Sequence, residues 1–286
     1  MINDSRPIGM MDSGVGGLTV LLAAQQALPQ ERFVYVGDTA RMPYGSKLAS
    51  DVVSFSQEIA NFLINNYDIK LLVIACNTAS ACALPILAKE LNIPIIGVID
   101  GGARAAVQQS KNQKIGLIAT QGTVNSGKYQ AEIKQLNPDL TVIAQAEPEF
   151  VTLVESDQAN NPAYQALIDQ HLAIFVRQGV DTLVLGCTHF PLLGQMIQQA
   201  VGDQVTLIDP SFETANDIKK YLSQHKMLAS QDLISEPNRY FTTGNCATFT
   251  QIASKWLQPT EPLVVAHLAI KHDAAQEYLE EVVCPD

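Results

Sequence analysis

The sequence predicts an α/β protein of two similar doubly wound parallel-sheet domains related by internal duplication, with an active site in the cleft between them. Three observations carry that prediction. Short apolar, β-branched runs alternate with longer helical patterns, the order that builds βαβ units and parallel sheets. Four of those runs recur in the same order, offset by 107 to 111 residues. In both copies the third run ends on a cysteine followed by polar residues. Leu71-Leu72-Val73-Ile74 leads into Ala75-Cys76-Asn77-Thr78, and Leu183-Val184-Leu185 leads into Gly186-Cys187-Thr188-His189. Ligands of open α/β sheets sit at the carboxyl ends of strands. Two thiols presented this way point to one site with a sulfur on each side.

Taken in order, Ile8-Gly9-Met10-Met11 is the first strand and Ile115-Gly116-Leu117-Ile118 its repeat. The turn Asp12-Ser13-Gly14-Val15-Gly16-Gly17 then runs into a helical pattern at Leu18, Leu21, Leu22 and Leu28. Such a turn either offers N–H donors and the positive end of the helix dipole to an anion, or is a tight βα turn capped by Asp12 or Ser13. The GxGxxG spacing is not met and no Walker lysine follows. In the second half Ala119-Thr120 occupy the Asp12-Ser13 positions, so the duplication keeps a hydroxyl and drops the carboxylate.

Phe33-Val34-Tyr35-Val36 is the second strand, matched to Leu140-Thr141-Val142-Ile143. The turn Pro43-Tyr44-Gly45 follows; its tyrosine either closes over a pocket or packs as the aromatic of a surface turn. Gly97-Val98-Ile99-Asp100 matches Thr206-Leu207-Ile208-Asp209 as the fourth strand. Boundaries near Asp100-Gly101-Gly102 and Asp209-Pro210 give expected domains of residues 1–99 with 210–286, and of residues 100–209. The C-terminal stretch, with Tyr240-Phe241-Thr242-Thr243 and a helix around Trp256, returns to pack on one of the halves.

Apolar residues at 47% and charged ones at 16% describe a well-packed globular protein. A net charge of −11 with no basic stripe argues against a nucleic-acid partner. It also gives an anionic substrate no help from the overall field, so an anion site must be built locally. Five cysteines without a CxxC pair signal neither a disulfide framework nor a zinc ribbon. Cys82, Cys246 and Cys284 are read as small buried hydrophobes. No signal-peptide pattern and no apolar run of membrane-span length are found, so the expected address is cytoplasmic, with no membrane partner.

The two matched cysteines each have a titratable neighbour, Asp12 for Cys76 and His189 for Cys187. A sulfur on each side of one site is the geometry that a two-base proton transfer requires. A thiol, with an unperturbed pKa of about 8.5, suits that task.

These segments together resemble the glutamate racemases, amino-acid racemases of bacterial wall synthesis that use no cofactor. The resemblance rests on Asp12-Ser13-Gly14-Val15-Gly16-Gly17-Leu18, Gly37-Asp38-Thr39, Pro43-Tyr44-Gly45 and Ala75-Cys76-Asn77-Thr78-Ala79. It continues through Val98-Ile99-Asp100-Gly101-Gly102, Leu153-Val154-Glu155 and Gly186-Cys187-Thr188-His189-Phe190-Pro191-Leu192. It implies Cys76 and Cys187 as the two acid/base catalysts, assisted by Asp12 and His189, with Glu155 nearby. Cys187 would take the α-proton from L-glutamate and Cys76 from D-glutamate. Ser13, Tyr44, Gly45, Asn77, Thr78 and Thr188, together with Asp12 and His189, would hold the substrate; Thr120 joins them through the repeat. The resemblance also implies D-glutamate supply for peptidoglycan, no pyridoxal phosphate, no metal, and a homodimer.

The chain departs from the family pattern at Ala146-Glu147-Pro148, where a cysteine and proline are common, and at Ser156-Asp157 after Glu155. Only seven residues precede the first strand, so activation by a cell-wall precursor is not expected. Three rival readings have different signatures: an aspartate racemase, a cysteine hydrolase using Cys187 and His189, and a bilobed protein that binds an amino acid without converting it.

Overall fold

A computed structural model of the chain describes residues 4–156, 158–159, 161–230, 236–272 and 277–284. The first half runs β1 (Ile8–Asp12), α1 (Leu18–Ala27), β2 (Phe33–Gly37), α2 (Ala49–Tyr67), β3 (Leu71–Ile74), α3 (Asn77–Cys82), α4 (Leu84–Glu90) and β4 (Ile95–Gly97). Then come α5 (Ile99–Gln109), β5 (Lys114–Ala119), α6 (Gln121–Ser126), α7 (Lys128–Leu136), β6 (Thr141–Ala146), α8 (Pro148–Glu155), α9 (Gln165–Gln178), β7 (Thr182–Gly186), α10 (Gly194–Val201) and β8 (Thr206–Ile208). The chain closes with α11 (Pro210–Gln224), β9 (Arg239–Thr242), α12 (Cys246–Leu257), β10 (Val265–His272) and β11 (Glu277–Val282).

Two sheets result, ordered β11-β10-β9-β2-β1-β3-β4 and β6-β5-β7-β8. The run β2-β1-β3-β4 repeats as β6-β5-β7-β8, all parallel, so the internal match in sequence is a match in topology. The C-terminal strands extend the first sheet: β9 pairs with β2 in parallel, and β10–β11 is an antiparallel ladder at its edge.

Successive side chains of a strand face opposite sides of the sheet. Met10, Tyr35 and Val73 therefore enter one core while Met11, Val36 and Ile74 enter the other. The smaller sheet divides its apolar residues the same way, with Leu185 on one side and Leu117 and Val184 on the other. Strands buried on both faces read as the continuous apolar runs that made them visible in sequence.

The register corrects two of the expected matches. Phe33 pairs with Ile8 and Val142 with Ile115, so Phe33 corresponds to Val142 rather than Leu140. A slip of two leaves the alternation of faces unchanged, so pattern alone cannot detect it. The fourth strand ends at Gly97, with Ile99 and Asp100 already in α5; Leu207 corresponds to Ile95 rather than Val98, because Leu207 pairs with Leu183 as Ile95 does with Leu72.

The cysteine reading is also corrected. Cys246, at the start of α12, and Cys284, beyond β11, form a disulfide, while Cys76, Cys82 and Cys187 are free. The two lie 38 residues apart and meet because β10 and β11 fold back beside α12, a tertiary contact without a local signature. No helix among the described residues is long and apolar enough to cross a membrane.

Candidate active site

The carboxyl ends of β1 and β3 in the first sheet and of β5 and β7 in the second face one cleft. Cys76 follows β3 as the residue capping α3, and Cys187 follows β7 just before a 3₁₀ turn at Phe190–Leu193. Both thiols are buried, yet both line the cleft, with Ser13, Tyr44, Gly45, Asn77, Thr78, Thr120, Glu155, Thr188 and His189. Pro43 and Val151 complete its wall. The cavity measures about 20 Å³, room for roughly one water.

The halves are latched around it. The Thr78, Thr120 and Thr123 hydroxyls form a triangle with edges of 2.9, 3.0 and 3.2 Å, joining α3 to the β5–α6 turn. Thr19 Oγ1 donates to Thr188 O at 3.1 Å. Two glycines permit this approach. A Cβ on Gly16 would stand 2.3 Å from Thr188 Oγ1, and one on Gly45 would stand 2.5 Å from Thr120 Cβ. The glycine-rich turn is thus shaped for contact with the other half, and Asp12 takes the Gly14 N–H at 2.9 Å.

On the Cys187 side three groups stand in a row. His189 Nδ1 is 3.7 Å from Cys187 Sγ, and Nε2 is 3.2 Å from Glu155 Oε1. Burial pulls the imidazole towards neutrality, but the thiol and the Glu155 carboxylate outweigh it and hold its pKa at about 10. Glu155 reaches this position as the last residue of α8, whose Phe150 packs edge-on against Phe190. Asp157 lies outside the described residues.

The Cys76 side has the opposite character. Burial, then the nearby Asp12 carboxylate, push the Cys76 thiol up to about 12, against hydrogen bonds from Ala79 and Ser13. Asp12 is fully buried behind the lining residues, with Thr188 Oγ1 3.5 Å from its Oδ1. Burial also raises the Asp12 pKa, opposed by the charge of His189 and by backbone N–H donors.

The Tyr44 side chain lines the cleft and is tied back through its hydroxyl. That hydroxyl donates to Asp38 Oδ2, and Asp38 also holds Arg41 and Thr243. Buried Asp38 wants several donors, and this cluster supplies them. Tyr44 therefore anchors its turn through its hydroxyl, and Gly45 meets Thr120. Sequence reading missed Thr123, Asp38 and Tyr129, whose hydroxyl donates to Asn77 Oδ1 at 2.8 Å. Thr123 repeats the hydroxyl of Thr120 one turn on, a faint signal; Tyr129 reads in sequence as an ordinary core position of α7.

Two matched sheets with a strand-end thiol from each define an amino-acid racemase of the aspartate/glutamate type, and comparison with known proteins agrees. The Asp/Glu/Hydantoin racemase family matches residues 13–217. A glutamate racemase of Latilactobacillus sakei is 47% identical over 254 residues, covering 88% of this chain and 91% of the relative. The crystal structure of a glutamate racemase isoform from Bacillus anthracis superposes with a TM-score of 0.87 at 40% identity, covering 92% of this chain and 97% of that one. That of the Francisella tularensis glutamate racemase in complex with D-glutamate gives 0.83 at 31% identity, covering 94% and 98%. The chain belongs to the Asp/Glu/Hydantoin racemase family and, within it, to the glutamate racemases.

Proposed function

We propose that this chain interconverts L- and D-glutamate by moving the α-proton between two thiols, without pyridoxal phosphate, and so supplies D-glutamate for peptidoglycan. The observation that supports this most is the pair of buried thiols lining one cleft from the ends of β3 and β7, each in a different protonic setting. With L-glutamate, Cys187 acts as a thiolate paired with the His189 imidazolium and removes the α-hydrogen. That imidazolium is held by Glu155. Cys76, kept as a thiol by burial and by Asp12, then protonates the opposite face of the carbanion. D-glutamate uses the same path in reverse, with Cys76 as the base.

The substrate carboxylates meet neutral donors, the side chains of Ser13, Asn77, Thr78, Thr120 and Thr188, with the Gly45 turn beside them. Asp12, behind the lining, acts on the ammonium group through its charge and balances His189. Negative charge that develops on the carboxylate side of the carbanion is stabilised by donors already in place. A cavity that holds roughly one water does not admit glutamate, so residues 1–99 with 210–286 and residues 100–209 act as the two bodies that part and close. We assign the protein to the cytoplasm as a homodimer.

Incubation with each enantiomer in deuterium oxide tests the reading. Racemisation with solvent deuterium at the α-carbon is expected from both; binding without exchange would leave a mere amino-acid receptor. Turnover of aspartate alone would select the aspartate racemase.

A further inference from the structure

Tyr129 sits on α7 in the second half and is fully buried. Burial pushes its phenol far above the ordinary range, so the ring oxygen keeps its proton. A buried phenol O–H must find an acceptor. Among the described residues its acceptor is Asn77 Oδ1, 2.8 Å away on α3 of the other half. The phenol oxygen also has a made place: a Cβ on Gly102 of α5 would come within 3.2 Å of it.

A carboxamide has one accepting end and one donating end. With its oxygen claimed by Tyr129, Asn77 has its NH₂ left to offer, and Asn77 lines the cleft. The hydroxyls of Ser13, Thr78, Thr120 and Thr188 can rotate to donate or accept. The amide, so held, cannot reverse. Its polarity matches a carboxylate and opposes an ammonium group.

We propose that Tyr129 is a positioning residue that fixes the Asn77 carboxamide as a donor and so commits this edge of the cleft to a substrate carboxylate. The proposal rests on the cleft being an amino-acid site and adds to it which group binds where. Without the phenol oxygen, Asn77 Oδ1 is left buried and unpaired, and nothing fixes which end of the amide faces the cleft and the substrate carboxylate.

The test is Tyr129→Phe, which removes one oxygen from a site that keeps its ring. KM for both glutamate enantiomers should rise about tenfold while kcat changes less than about threefold, with the melting temperature lowered by only a few degrees. In an Asn77→Ala background the same substitution should change kcat/KM by less than about twofold, because the group it positions is gone. Glutarate, which carries both carboxylates but neither ammonium group nor stereocentre, gives a second readout by titration. Its dissociation constant should follow the same cycle. Equal losses in the two backgrounds, an unchanged KM and glutarate affinity, or a fall confined to kcat would overturn the role of Tyr129. The glutarate arm is independent of turnover: a parent chain inactive on glutamate would refute the racemase reading, and the cycle on glutarate would still decide this one.

Discussion

Cys76 and Cys187 stand at equivalent strand ends, yet their surroundings differ. Cys187 stands beside the His189 imidazole, which Glu155 backs and keeps protonated. Cys76 faces burial and the Asp12 carboxylate, both of which keep its proton on sulfur. The duplication supplied two sulfurs; the residues that differ between the copies, Asp12 against Ala119 and His189 against Thr78, give them the unlike surroundings that the proposed mechanism uses as base and acid. A symmetric site would have no reason to rest in either state.

Removing either sulfur tests the comparison most severely. Cys76→Ser and Cys187→Ser should each lower racemisation by about a thousandfold or more, the scale of a positioned acid or base together with thiol reactivity. Near-normal racemisation by either variant, followed by circular dichroism, would exclude the two-thiol path. Next, Gly16→Ala places a methyl group against Thr188 and His189 and should cut kcat/KM by about a hundredfold by obstructing closure, with melting little changed. An active Gly16→Ala enzyme would mean that the halves work without meeting at this contact.

His189→Asn should cost about a hundredfold and Glu155→Gln about tenfold, because Glu155 acts through the imidazole. The reverse order in steady-state rates would break the proposed row. Thermal melting against pH separates the two sides. His189 is held near 10 when folded against an ordinary 6.5, so its stabilisation is full below pH 6.5 and is lost as pH rises through 10. Cys76, near 12 against an ordinary 9.0, leaves stability untouched below pH 9 and weakens the folded state from there to pH 12. The melting temperature should therefore fall from pH 6.5 upward; His189→Asn should flatten the lower part and Cys76→Ala the upper.

The smallest effect on activity is expected away from the cleft. Cys284→Ser opens a 38-residue disulfide loop and should lower stability by about 2–4 kcal/mol, read by denaturant unfolding, while kcat/KM stays within about twofold. A large loss of activity would tie the β10–β11 edge to catalysis.

Much of the site was legible because its key residues sit where local pattern is strongest. Cys76 and Cys187 follow directly on apolar strands, and Asp12 and Ser13 follow another. Harder to read was Tyr44, whose hydroxyl is taken by Asp38, since a Pro-Tyr-Gly turn does not say which way its aromatic turns. Cys246 and Cys284 look like any apolar small residues until β10 and β11 bring them together.

By itself the sequence determined the two-sheet repeat and the strand ends that carry the thiols, because apolar periodicity and backbone propensity act over a few neighbouring residues. The tertiary structure alone decided the rest: Glu155 against His189, Tyr129 against Asn77, Thr78 against Thr120, and glycines where the halves touch. Those contacts join residues up to 173 positions apart, as Gly16 and His189 do. They arise from how two folded halves meet, and the chemistry of each residue gives no local sign of its partner.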